Sequence, residues 1–270
     1  MRHKNKGGIS RKVQGASISD WFQKSIKLAC LLLIAVSLLT SCEKETTDNN
    51  ILIYNGSVAD ADGVAKVTEM AKEQGYEVKY ISNLSNLPEM LDGAKAFIIG
   101  GTEDDTDNLI KDLTEVQNDL KEYVENGGNY LGICGGAFVA SKGSQWDDGY
   151  ETGMGLVNIE SFAYDKNNAD PQIIPITWLG TQRTIYYQCG PAFAKKTIPA
   201  NSEILAYYNN EKQDVAIFKT KIGSGTVIFC GPHPEADETW LDDDPEPLNA
   251  DTWTDTKDIF QHIFTVLVSD

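Results

Sequence analysis

Positive charge is scarce in this sequence. Twenty-three Lys and Arg face 40 Asp and Glu, for a formal net charge of −17. A surface of that sign repels phosphate backbones and anionic headgroups, which excludes nucleic acid as a partner and an electrostatic hold on a bilayer. Histidine is scarcer still, at three, so a base that titrates near neutral pH has few candidates. Long apolar runs are also lacking. The longest, residues 28–39, is interrupted only by Ser37 and falls short of the ~20 residues that a spanning helix needs. The sequence carries no internal repeat, long low-complexity tract or internal linker, and no motif in it implies a cofactor.

A cluster of basic charge stands at the start, where Arg2, Lys4, Lys6, Arg11 and Lys12 precede the apolar run. A basic region followed by a short apolar stretch has the form of a secretory signal. The run closes in Leu39-Thr40-Ser41-Cys42, which resembles the lipobox of bacterial lipoproteins. The resemblance implies cleavage before Cys42 and acylation of its sulfur. The expected organisation is a signal peptide over 1–41, a polar tether over 42–50 and one domain over 51–270. The expected location is the bacterial cell envelope, with the membrane reached through the lipid on Cys42.

From Ile51 short apolar runs alternate with helical patterns. Residues 51–54, 77–81 and 96–99 read as strands, and residues 64–74 and 109–124 as helices, with Pro88 breaking a short helical piece at 84–91. Strands that are unbroken apolar runs belong to a parallel sheet covered on both faces. The later chain is richer in β pattern, at 157–164, 173–178, 184–187, 204–208, 215–220 and 226–229. Gly223-Ser224 reads as a hairpin turn before a terminal helix at 259–268. The expected fold class is α/β, a mostly parallel central sheet with a β-rich insertion.

The chemistry concentrates where the fourth strand meets Gly132-Ile133-Cys134-Gly135-Gly136. A sharp strand-to-helix turn lifts a nucleophile above the carboxyl end of a parallel sheet. The same pattern also suits a buried cysteine acting as a small hydrophobe. A thiol nucleophile needs a base and a group that orients the base. His3 lies in the leader and His262 in the terminal helix, which leaves His233, just past a buried strand and two residues before Glu235. Gly100-Gly101 ends the third strand on the same side, so backbone N–H groups of Gly101 and Gly135 form a candidate oxyanion pair.

These residues resemble the class I glutamine amidotransferase-like superfamily, with its G-x-C-x-G elbow and late H-x-E. Ile185-Tyr186-Tyr187-Gln188-Cys189-Gly190-Pro191-Ala192-Phe193 is more similar to the domain at the N-terminus of some biotin–protein ligases. The resemblance implies a flavodoxin-like three-layer α/β/α sandwich, with Cys134 as nucleophile, His233 as base and Glu235 as its orienter. One departure matters. Glutamine-hydrolysing members usually carry Gln four residues after the nucleophile, where this chain has Phe138. A phenyl ring cannot make the hydrogen bonds of that amide, so glutaminase activity is not expected. Biotin ligation is not expected because the sequence carries no ligase catalytic domain. The reaction expected is hydrolysis of a C–N bond in a small molecule or peptide. The alternative is a binding or scaffold module that keeps the fold without the chemistry.

Two further features are singled out. Cys189 is a candidate redox or pocket residue, either pairing reversibly with Cys134 or remaining free beside a buried, inert Cys230. The acidic segment 235–251 lacks the ligand spacing of a calcium loop. It reads as a solvated rim packed by Trp240 and Trp253, and no metal is expected.

Overall fold

The computed structural model describes residues 49–103, 107–147, 149–241, 248 and 252–269. Cys42, the leader and most of the acidic run at 242–251 lie outside them.

The chain opens with β1 (Asn50–Tyr54), α1 (Ala61–Glu73), β2 (Glu77–Ile81), α2 (Leu87–Leu91) and β3 (Ala94–Ile99). It continues with α3 (Asp107–Glu115), α4 (Gln117–Glu125), β4 (Asn129–Ile133) and α5 (Gly135–Ala140). Asp60 starts α1 because its carboxylate accepts from the Asp62 and Gly63 N–H groups at 3.1 and 3.0 Å, a cap worth about 1 kcal/mol. Pro88 marks the division of the piece at 84–91, which runs as a 3-10 turn over Leu84–Asn86 and then as α2. The proline sits in the first turn of α2, where a missing N–H costs nothing. The single helix expected over 109–124 divides at Val116, whose φ of −108° leaves the helical region. Val116 stays in the core, and the Gln117 side chain, at the start of α4, donates to the Met154 carbonyl.

Along β1, successive side chains face opposite ways. Ile51 and Ile53 pack with Val67 and Ala71 of α1, while Leu52 and Tyr54 join Leu113, Leu120 and Val124 of α3 and α4 on the other face. Both faces are therefore covered, which is why β1 is apolar throughout. The last helix, α6 (Lys257–Val268), adds Ile259, Ile263 and Phe264 to the α1 face.

The later strands are β5 (Gly143–Gln145), β6 (Tyr150–Thr152), β7 (Glu160–Ala163), β8 (Gln172–Trp178) and β9 (Thr181–Tyr187). They are followed by β10 (Pro191–Ala192), β11 (Glu203–Tyr208), β12 (Val215–Ile222) and β13 (Gly225–Cys230). Among the described residues, nine strands form one sheet in the order β2-β1-β3-β4-β13-β12-β11-β8-β9. From β2 to β13 neighbours are parallel, and from β13 to β9 they are antiparallel. The protein is thus a mixed α/β fold, and the expectation of a mostly parallel sheet holds for only half of it. The β-rich region is not one insertion either. Strands β8, β9, β11 and β12 extend the main sheet, while β10-β7-β5-β6 make a second small sheet. The hairpin at Gly223-Ser224 is as expected, with Ile222 paired to Gly225. No helix among the described residues is long and apolar enough to cross a membrane.

A candidate cysteine active site

Three neighbouring strands leave the sheet at one level. Ile99 pairs with Gly132 and Cys230 with Ile133, so the chain following β3, β4 and β13 emerges along one edge. That register brings Gly101, Cys134 and His233 to a common cavity, as expected for ligand sites at the carboxyl ends of parallel strands.

The elbow is built by close backbone approach. A Cβ on Gly132 would lie 2.4 Å from the Gly136 carbonyl oxygen, and one on Gly136 would lie 2.0 Å from that of Ile99. Only glycine lets α5 turn back onto β3 and β4 so tightly. Cys134 takes the strain, at φ 48° and ψ −109°, a conformation that costs a non-glycine residue on the order of 1–3 kcal/mol. Its N–H donates to the Cys230 carbonyl at 2.8 Å, and the Ala137 and Phe138 N–H groups donate to its own carbonyl. The thiol is half-buried and donates to the Gln188 carbonyl at 3.4 Å.

His233 is buried and fixed from three sides. Its backbone N–H donates to the Tyr186 carbonyl at 2.9 Å. Its ring stands edge-on to Tyr186 and tilted against Trp240, with centroids 5.8 and 5.5 Å apart. Nδ1 lies 2.9 Å from Glu235 Oε1. The carboxylate can only accept, so Nδ1 carries the proton and Nε2 is left to exchange one with the thiol. Burial by itself would push the imidazole down. The Glu235 carboxylate and then Cys134 outweigh it, by charge and by hydrogen bonding, and hold His233 well above its usual value. Glu235 is also buried, and its Oε2 has no hydrogen-bond partner among the described residues.

Gly101 and Gly135 both line the cavity, and neither amide donates to another described residue. Gly101 lies against the imidazole, where an added Cβ would come 3.2 Å from Cε1. Cys189 is in the same cavity wall, half-buried, with its backbone at φ 51°. Cys230 behaves differently. It is fully buried, its thiol donates to the Pro232 carbonyl at 3.2 Å, and burial pushes its titration well up. His262 is exposed on α6 and stands edge-on to Trp178. Trp240 packs with Tyr186 and Ala236, and Trp253 lies against that cluster. No group of metal-ligating side chains occurs among the described residues.

Two cavity features escaped the sequence. Asp60 caps α1 and also reaches the site, where a Cβ on Gly101 would lie 3.4 Å from its Oδ2. An acidic residue ahead of a helical pattern signals the cap, but nothing local says what the cap faces. Trp146 packs on Phe138 with centroids 5.0 Å apart, a contact between an elbow helix and a loop that no periodicity reveals.

The family described as the N-terminal domain of biotin–protein ligase matches residues 49–160 and 170–262. The chain belongs to this family. Within the biotin–protein ligase N-terminal family, the Schizosaccharomyces pombe biotin–protein ligase is 23% identical over 217 residues, 69% of this chain and 33% of that protein. The chain therefore spans about a third of that relative. Among solved structures, a glutamine amidotransferase superposes with a TM-score of 0.57 at 18% identity, covering 81% of this chain and 99% of that one. A glutamine amidotransferase of Thermotoga maritima gives 0.50 at 12% identity, covering 82% and 88%. These likenesses establish a glutamine amidotransferase-like fold for this biotin–protein ligase N-terminal family member.

Proposed function

We propose that this protein is a thiol-dependent hydrolase acting on the C–N bond of an amide in a small molecule or peptide. The observation that carries the reading is the strained Cys134 elbow beside His233, whose Nδ1 is held 2.9 Å from Glu235. The thiolate of Cys134 attacks the carbonyl carbon, and the electron pair of the C=O bond moves to oxygen. The Gly101 and Gly135 amides receive that oxyanion. When the C–N bond breaks, the protonated His233 gives its proton to the leaving nitrogen, and a thioester remains on Cys134. Water, deprotonated by His233, then releases the acid and restores the thiol. Glu235 orients the imidazole and stabilises its charged form, the role of the third member of a triad.

The flavodoxin-like three-layer sandwich is the frame we assign to this site, supported by the helices on both faces of the sheet. We further assign the leader as a lipoprotein signal, with Cys42 acylated and the domain held at the bacterial envelope. Radiolabelled palmitate incorporation by the full chain, lost in Cys42→Ser, is the expected result. Incorporation that survives the substitution removes the anchor.

A second reading, a binding module with an idle thiol, is favoured by one observation. Phe138 is packed against Trp146 where glutamine recognition would need an amide. Iodoacetamide labelling separates the two readings. An activated Cys134 labels well below the free-thiol pKa of about 8.5, and His233→Ala shifts labelling to alkaline pH. Alkaline labelling in both proteins leaves the binding module.

A further inference from the structure

The thiol sits in a cavity of about 640 Å³ whose described wall, apart from the imidazole of His233, carries only acidic charge. Asp60, Asp62, Glu103, Asp107 and Glu151 all line it, and its described lining holds no lysine or arginine. Two of the five have structural duties. Asp60 caps α1, and Glu151 Oε2 accepts from the Trp146 indole N–H at 3.0 Å. Glu103 and Asp107 are exposed and have no ion-pair partner among the described residues. Carboxylates left unmatched around a concave site focus field lines and concentrate cations there.

The aromatic pair is an independent observation pointing the same way. Phe138 and Trp146 both line the cavity with centroids 5.0 Å apart, and the bond to Glu151 fixes the indole. Aromatic faces attract ammonium and guanidinium groups, indole most strongly. A carboxylate beside the ring sharpens that preference and opposes anions.

Resting on the hydrolase reading, we propose that the substrate is a cationic amide. Its ammonium or guanidinium group lies between the Glu103 and Asp107 carboxylates and the Phe138–Trp146 pair while its carbonyl is presented to Cys134. The acidic residues do not make a site of their own here. They set the charge of what the thiol cavity admits, and they disfavour a substrate with a free carboxylate near the scissile bond.

Two thiol probes of similar size and opposite charge test this on the full chain: aminoethyl and sulfonatoethyl methanethiosulfonate. In each case the Cys134 thiolate attacks the sulfenyl sulfur, a mixed disulfide forms and methanesulfinate leaves. Rates are read by mass on the Cys134 peptide and divided by those for 2-mercaptoethanol. At 0.15 M salt the field of distant charges is screened beyond about 8 Å. The expected cation-to-anion ratio is about tenfold or more, falling several-fold toward one in the Glu103→Gln, Asp107→Asn double variant and in Trp146→Leu. A ratio near one in the wild type overturns the proposal, as does a ratio that none of these variants changes. Failure of the hydrolase reading looks different: neutral iodoacetamide then labels Cys134 only at alkaline pH, whatever the charge ratio.

Discussion

The two halves of the central sheet divide the work of the site. In its parallel half, β2-β1-β3-β4-β13, the four inner strands are buried on both faces, and β3, β4 and β13 end in tight glycine-bearing turns. These turns deliver Gly101, Cys134 and His233 at one level. The antiparallel half, β12-β11-β8-β9, contributes one part of the wall, through Tyr186, Gln188 and Cys189 at the end of β9. Parallel register fixes reacting groups against one another because every strand points its carboxyl end the same way. The antiparallel strands can place only alternate ends at that edge, so they shape and close the cavity. Pre-organised chemistry thus belongs to one half, and the surroundings of the substrate draw on the other.

That division can be broken most severely inside the triad. His233 is held above its unfolded value of about 6.5. The stability gained from its charged form is therefore fully present below pH 6.5 and is lost as pH rises through the folded value. Glu235→Gln removes the partner of a buried charge and should destabilise the protein by about 3 kcal/mol at pH 5. The deficit should shrink as pH rises, as measured by urea unfolding across pH. A deficit that does not vary with pH would mean that the imidazole is neutral.

The elbow comes next. In Gly136→Ala the new methyl meets the Ile99 carbonyl oxygen at 2.0 Å, for a cost of about 2–3 kcal/mol. Low-pH iodoacetamide labelling of Cys134 should be lost with it. A variant that unfolds earlier yet keeps that labelling would show that the parallel edge does not set thiol reactivity.

The smallest effect probes where the halves meet. Cys134 comes from the parallel edge and Cys189 from the antiparallel one, and the Cys134 thiol already reaches the carbonyl of Gln188. Reversible pairing of Cys134 with Cys189 predicts that a peroxide accepts two electrons and two protons from the two thiols, leaving a disulfide and water. Of Cys134, Cys189 and Cys230, only Cys230 should then remain titratable under denaturing conditions without reductant. Three titratable thiols after peroxide treatment remove the pairing and leave Cys189 as a pocket residue.

Much of this was readable from local pattern. Residues 51–54 and 96–99 announced buried strands because a strand covered on both faces must be apolar at every position. The small residues around Cys134 announced the elbow because close backbone approach leaves no room for a Cβ. With so few histidines, His233-Pro234-Glu235 stood out as base and orienter. The expected single helix over 109–124 divides at Val116, whose backbone leaves the helical region while its side chain keeps the buried position the helical period assigns it.

The amino-acid sequence by itself therefore determined the β/α alternation, the turn at Cys134 and the identity of the three side chains that could act together. Each depends on neighbours a few residues apart, and steric and hydrophobic constraints at that range are written in the local pattern. Tertiary structure decided which edge the later strands joined, that Gln188 reaches the thiol and Asp60 its cavity, and that carboxylates from positions 60 to 151 share one cavity. Those outcomes depend on strand pairing and on chain segments meeting across the sheet. Such long-range choices are made by the packing of the whole fold, and they leave no periodic trace in the residues that end up side by side.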